Sequence, residues 1–146
     1  MNKDITVIET GDIVPAYPYL WKWQRDKGED AGRKERPVCA VIAIKDKGDR
    51  THLLLLAISG TPASSGQIAI EIPPLEVRRI GLDDQKQAWI TVSECNYDVL
   101  ELSFSLEPPR QKLKKLSPGF LKTVLRAFRS TAAAYVRAHR PHLSGT

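Results

Sequence analysis

"RPVCAVIAIKDKGDRTHLLLLAIS" (residues 36–59) contains two long apolar runs separated by a short polar turn. Within these runs, residues 38–44 and 52–58 are apolar on both faces, which is typical of strands at the centre of a sheet. The connection at residues 45–50 has the length and the glycine of a hairpin turn. The sequence therefore predicts two neighbouring antiparallel strands at the centre of the protein.

Shorter strand-like runs surround this hairpin, and each is bounded by Gly, Pro, Asp or Asn. They cover residues 12–17, 67–72, 87–94 and 98–106. Strands and helices do not alternate along the chain, which argues against a parallel α/β sheet. We expect a mainly β (α+β) fold in which the strands form a small, strongly bent antiparallel barrel.

Two helices are predicted outside the strands. Residues 73–81 begin with prolines and end with glycine, which is typical of a short mid-chain helix. Ser117 and Pro118 mark the start of an amphipathic helix predicted to run to about residue 138. Its apolar face comprises Leu121, Val124, Leu125, Phe128, Ala132, Tyr135 and Val136.

The charge of the chain is concentrated at its C-terminal end, although residues 1–146 are predicted to form a single domain. Residues 110–146 hold nine Lys or Arg and no Asp or Glu, which leaves 13 basic against 17 acidic residues before them. Such a cluster attracts an anionic partner, either nucleic acid or an acidic protein, although solvated helix faces commonly carry similar charges. Neither a membrane span nor a signal peptide is recognisable, so we expect a cytoplasmic protein.

The cysteines and histidines show no metal-ligand spacing, and no metal or cofactor is predicted. Cys39 and Cys95 lie in apolar runs and are expected to be buried free thiols. His52 and Ser59 lie on opposite faces of the predicted strand 51–59, because side chains alternate between faces. We therefore expect a structural role for His52.

The segment at residues 18–35 is long for a connection between two strands, and such loops are often functional. Aromatic residues alternate with other residues at the start of this segment, and basic residues lie between them or follow them. The aromatic residues are Tyr17, which ends the preceding strand, and Tyr19, Trp21 and Trp23. Aromatic rings beside cations suit single-stranded nucleic acid, through base stacking and phosphate attraction. The alternative is a strand whose rings cover one end of the barrel. Acidic residues make the segment mixed in sign, so it also offers acid and base groups.

Three sequence blocks, in this order, resemble the opening of the MazF/PemK family of toxins. They are GDIV (11–14), RPVCAVIAI (36–44) and LLLLAISGTP (53–62). Later segments, including AIEIPP, GLDD and AWITVSECN, are similar to a longer branch of that family. The segment GRKERP, which ends the loop before the second block, has one residue more than the family pattern. Ala57 and Gly60 stand at positions where the family commonly has a proline and a second polar residue.

The resemblance implies a toxin of a type II toxin–antitoxin pair, with an SH3-like barrel and a homodimer whose groove holds the RNA. It implies metal-independent, sequence-specific cleavage of single-stranded mRNA and a cognate acidic antitoxin. The family's catalytic arginine falls on Arg36 and its strand-end hydroxyl on Ser59, with Thr61 as a nearby substitute. RNA-binding candidates are Trp21, Trp23, Arg33 and Lys34. Candidate proton carriers are Glu29, Lys34 and Glu35.

The chemistry of metal-free RNA cleavage explains these residue types. The 2′-hydroxyl attacks the adjacent phosphate, so the site must stabilise negative charge and move two protons. Arg36, held by the following proline, offers a planar guanidinium to a phosphate, and Ser59 offers a hydrogen bond. The structural alternatives are an ion pair from Arg36 to Glu35 or Asp30, and a turn cap at Ser59.

Two other functions are compatible with the sequence. The first is a catalytically silent module on the same barrel that binds RNA or protein through the long loop or the basic helix. The second is a gyrase poison similar to CcdB. The C-terminal residues RAHRPHLSGT lack the tryptophan-containing signature expected of that class.

Overall fold

The structure, a computed structural model, describes residues 7–82, 86–107, 109, 112–131 and, for the backbone alone, 134–137. Within these residues most elements are strands, which confirms the mainly β (α+β) prediction. The elements are β1 (Ile13–Tyr17), α1 (Lys22–Asp26), β2 (Arg36–Lys45), β3 (Thr51–Ser59), β4 (Ala69–Glu71), α2 (Pro74–Arg79), β5 (Trp89–Thr91), β6 (Glu94–Val99), a 3₁₀ turn (Leu100–Leu102), α3 (Pro118–Ser130) and β7 (Ala134–Arg137). No helix among the described residues is long and apolar enough to cross a membrane.

The predicted central hairpin is confirmed. β2 and β3 pair antiparallel, with Ala40 opposite Leu55 and a bulge between Ala40 and Ile42. The Asp46 carboxylate closes the turn by accepting hydrogen bonds from the backbone N–H groups of Gly48 and Arg50, at 2.7 and 3.1 Å. The hairpin is thus fixed by both its apolar strands and its turn chemistry.

Strand β3 belongs to two groups of strands. Its first half, His52 to Leu55, pairs with β6, whereas Ile58 and Ser59 pair with β5. The main path of the sheet runs β1-β2-β3-β5-β4, and β6 carries β7 on its other side. Among the described residues β1, β4 and β7 each pair with one strand only, so the sheet is not closed and the predicted barrel closure is not observed.

Two hydrophobic clusters lie on the two faces of the sheet, because side chains alternate along β3. Leu53, Leu55 and Ala57 belong to one cluster. Leu56 and Ile58 belong to the other, which also contains the buried Cys39 and Cys95 and receives Val124 and Phe128 of α3. Both thiols are free and fully buried, as predicted, and burial raises their pKa, so neither is a ready nucleophile.

The predicted strands at 87–94 and 98–106 differ most from the structure, whereas the run at 67–72 is only shortened to β4. The run at 87–94 divides into β5 and the start of β6, and the run at 98–106 is a strand only as far as Val99. Asp98 and Ser103 explain the second difference. The Asp98 carboxylate accepts hydrogen bonds from the Val99 N–H and the Ser103 hydroxyl, both at 2.8 Å. The Ser103 oxygen in turn accepts the N–H groups of residues 105 and 106, which turns the chain away from the sheet.

The C-terminal helix begins as predicted but ends earlier. Ser117 Oγ accepts a hydrogen bond from the Phe120 N–H, and Pro118 follows at the first helical position. The helix stops at Ser130, where the Thr131 hydroxyl donates to the Val92 and Phe128 carbonyls. Residues 134–137 form β7, parallel to β6, so the prediction of a helix to residue 138 is wrong there. Ala132 lies outside the described residues.

The long segment between β1 and β2 contains the short helix α1, which the sequence did not predict. The Gln24 side chain accepts a hydrogen bond from the Trp21 N–H at 2.9 Å and so stabilises the first turn. The alternative of a strand with alternating rings is wrong from Lys22 onward. Tyr17 and Tyr19 are buried, whereas Trp23 remains 43% exposed.

Candidate functional site

The start of β2 and the end of β3 meet at one edge of the sheet. Because Val38 lies opposite Ala57 in the antiparallel register, Arg36 and Ser59 come from adjacent strand ends. Both line a concavity of about 160 Å³ that also includes Thr61, Trp21 and Trp23. Other lining residues are Pro62, Ala63, Ser64, Gln67 and Thr91. The structure thus brings together five of the nine residues that the sequence proposed for the site.

The guanidinium of Arg36 contacts an aromatic ring and is partly buried in this concavity. Its guanidinium carbon lies 5.1 Å from the centroid of the Trp21 ring, at cation–π distance. Its Nε is buried and has no hydrogen-bond partner among the described residues. Burial lowers the pKa of the guanidinium, which nevertheless stays protonated at neutral pH. The alternative ion pair to Glu35 or Asp30 is not formed.

Two hydroxyl groups belong to residues that line the same concavity as this arginine. Ser59 Oγ and Thr61 Oγ1 are 3.0 Å apart, and Ser59 Oγ accepts the Thr61 N–H at 3.1 Å. The second contact is the turn-capping role considered for Ser59 from the sequence. A hydroxyl that accepts from the backbone still has its own proton to donate, so the cap is compatible with a hydrogen bond to a phosphate oxygen.

A second concavity, of about 200 Å³, adjoins the first and shares Trp21, Trp23 and Arg36 with it. Arg33 and Lys34 line it together with Tyr19 and Gln24. The Trp23 ring lies near two cations, with Arg33 at 5.0 Å and Lys27 at 5.5 Å from its centroid. All four predicted RNA-binding residues therefore line the second concavity. At least one cation lies at cation–π distance from the ring of each tryptophan.

The predicted proton carriers are not placed in the Arg36–Ser59 concavity. Glu29 makes a two-point contact with Arg33, one bond of which measures 3.0 Å, and this contact lowers the pKa of Glu29. Glu35 is exposed and lines neither concavity. His52 lies at the far end of β3, bonded to Tyr97 and Asp46 at 2.7 Å each, as expected for a structural residue.

Three polar residues of β6, which the sequence analysis did not select, hold the segment that carries Trp21. Asn96 is fully buried and bonds both the N–H and the carbonyl of Leu20, each at 2.8 Å. Asp98 accepts the Tyr17 hydroxyl at 2.7 Å. Glu94 accepts the Lys22 N–H at 2.9 Å and the Tyr19 hydroxyl at 3.3 Å. We call Glu94, Asn96 and Asp98 the polar ladder.

Glu94 also contacts the other wall of the site. Its second oxygen accepts the Gln67 side-chain amide at 3.4 Å, and Gln67 lines the Arg36 concavity. Burial raises the pKa of Glu94 above its ordinary value, although the bonds from Lys22, Gln67 and Tyr19 oppose that rise. One buried carboxylate therefore joins α1 to the 61–67 connection.

Replacing Glu94 with glutamine is expected to change the pH dependence of stability. A carboxyl group whose pKa is raised by folding stabilises the fold below its unfolded pKa, and that contribution is lost as pH rises through the folded pKa. Glutamine has no such dependence, so Glu94→Gln should gain stability relative to wild type between about pH 4 and pH 7. Urea unfolding at both values measures this, with the exposed Glu107→Gln as control. A constant difference between wild type and Glu94→Gln would contradict it.

No protein-family model, curated protein or solved structure matches the chain. The family resemblance therefore stays a prediction, and the function has to be inferred from the residues gathered around Arg36.

Proposed function

We propose that the protein is a growth-inhibiting endoribonuclease toxin similar to the MazF/PemK family, which cuts single-stranded mRNA without a metal. In this proposal the bent sheet is a variant of the SH3-like barrel. The protein acts in the cytoplasm as a homodimer and is neutralised by an acidic antitoxin. The observation that carries the proposal is Arg36, whose buried Nε has no hydrogen-bond partner among the described residues, in a concavity that also holds Ser59 and Thr61.

An unsatisfied buried donor on a cation is costly, and native structures retain few of them without a functional reason. A phosphate bound in the concavity neutralises the charge of such a guanidinium and accepts hydrogen bonds from it. Trp21 restricts the guanidinium without using its hydrogen-bond donors. The arrangement therefore suits an anion that arrives with a substrate.

The proposed reaction uses the 2′-hydroxyl of the RNA as the nucleophile. A new bond forms between the 2′-oxygen and phosphorus, and the bond from phosphorus to the 5′-oxygen breaks. The nucleophile loses a proton and the leaving oxygen gains one. Arg36 stabilises the charge that develops on the non-bridging oxygens, and Ser59 donates a hydrogen bond to one of them. Thr61 keeps the Ser59 hydroxyl in place through its own hydroxyl.

Primer-extension mapping of a long, mixed-sequence single-stranded RNA in the presence of a chelator tests this function. We expect discrete cleavage sites with the single strand and none when the same sequence is annealed to its complement. Intact single-stranded RNA, both in chelator and with added magnesium, would overturn the proposal.

A second candidate is a catalytically silent RNA-binding module on the same scaffold. The observation in its favour is that none of the carboxylates named as proton carriers lines the Arg36 concavity, because Glu29 is paired with Arg33 and Glu35 faces solvent. This candidate predicts that wild type retains RNA without cutting it. Filter binding alongside the cleavage assay separates the two functions.

A further inference from the structure

The two concavities share three of their lining residues. Arg36, Trp21 and Trp23 line both of them. At about 160 and 200 Å³, each is smaller than the roughly 300–1,000 Å³ of a site for a drug-sized molecule. Each therefore suits one chemical group, such as a phosphate, and the pair suits two neighbouring groups on one strand.

The charges around this surface favour anions. Among the described residues no carboxylate lines either concavity. In the second one, Arg33 is already paired with Glu29, so its charge is largely neutralised. Lys34 is exposed and has no ion pair among the described residues, which leaves it as the available cation of the second concavity.

Trp23 is one of the residues that line the second concavity. Arg33 and Lys27 both lie over its ring at cation–π distance, and of these two cations Lys27 has no ion pair among the described residues. A phosphate placed between Lys34 and this ring lies next to Arg36, whose guanidinium serves the first concavity. Two anions bound in the two concavities would therefore both lie beside Arg36, which lines each of them.

We propose that the second concavity is a separate subsite for the phosphate adjacent to the scissile one, with Lys34 as its cation and Trp23 as its wall. This inference rests on the proposed function, because it takes single-stranded RNA as the ligand. It predicts that the protein contacts two consecutive phosphates, so that a substrate with a single phosphate is held less tightly.

Salt-dependent binding of a labelled, mixed-sequence 2′-deoxy oligonucleotide tests the subsite, since this probe lacks the 2′-hydroxyl and cannot be cut by the proposed reaction. Each phosphate contact contributes about 0.7 to the slope of log affinity against log salt for a single strand. We expect Lys34→Ala to reduce the slope by about 0.7 and to weaken binding by about 3- to 10-fold at low salt. Lys47→Ala, in the β2–β3 turn, removes the same charge outside both concavities and should leave the slope unchanged.

Three results would overturn the subsite: an unchanged slope for Lys34→Ala, an equal decrease for Lys47→Ala, or no binding of the probe by wild type. Thermal unfolding of both variants checks that they are folded. The outcome is independent of cleavage. RNA cleavage without a slope change would remove only the subsite, whereas a slope change without cleavage would remove only the ribonuclease.

Discussion

Replacing Arg36 with alanine is expected to lower the rate of RNA cleavage by about 100- to 1,000-fold, the range observed when one charge-stabilising donor is removed from an active site. The physical reason is that the transition state carries more negative charge than the substrate, and Arg36 is the cation beside the two hydroxyls. Arg36→Lys should recover only part of the rate, because an ammonium lacks the planar, paired donors of a guanidinium. Single-turnover cleavage of a fixed RNA measures both variants.

The stability of Arg36 variants distinguishes a functional from a structural role. Burying a polar group without a partner costs about 1–3 kcal/mol by mutational measures, so Arg36→Met should leave the free energy of unfolding unchanged or raise it. Arg50→Ala, in the β2–β3 turn, is the control for loss of one positive charge. Full activity in Arg36→Ala together with a marked loss of stability in Arg36→Met would show that the arginine only supports the fold.

Replacing Gly32 with alanine is expected to be the most damaging small change in the long segment. A Cβ at this position would lie 2.2 Å from the Pro18 carbonyl oxygen and 2.5 Å from that of Tyr19. Both are backbone atoms, so neither can rotate away, and overpacking of this kind typically costs about 1–3 kcal/mol or more. We expect the melting temperature to fall by about 3–10 °C, given roughly 3 °C per kcal/mol in a domain of this size.

Gly119→Ala is the matched control for this substitution. Its Cβ would meet nothing within 4 Å, and it lies in the first turn of α3. Alanine is favoured over glycine in helices by about 0.5–1 kcal/mol, so this variant should be as stable as wild type or more so. Calorimetry of both variants is the measurement. If Gly32→Ala matched Gly119→Ala in stability and in oligonucleotide binding, the close packing of residue 32 on Pro18 would be irrelevant.

The central hairpin could be predicted from the sequence because its strands are apolar on both faces and its turn carries glycine. The bounds of the later elements could not, because tertiary contacts decide them. The strand at 98–106 ends when Asp98 and Ser103 bond to nearby backbone groups, and the predicted C-terminal helix gives way to a strand that pairs with β6. The helix and strand propensities of a local sequence do not indicate where the edge of the sheet will lie.

The candidate site was predictable where it depends on the ends of neighbouring strands. Arg36 and Ser59 line one concavity because the register of the hairpin places the start of β2 beside the end of β3. The polar ladder was not predictable, since Glu94, Asn96 and Asp98 alternate with less polar residues as on a solvent-facing strand. Only the tertiary structure shows that residues 17–22 cover this face and that its polar groups bond the covering segment.

The polar ladder has a consequence for how this protein can diversify. The polar ladder holds the chain at residues 17–22, and Gly32 packs closely against the backbone of Pro18. Both ends of the segment between residues 22 and 32 are therefore held by contacts that do not involve its exposed side chains. Residues 25–31 are mostly exposed. Substitutions at these exposed positions are therefore expected to leave the stability of the scaffold unchanged.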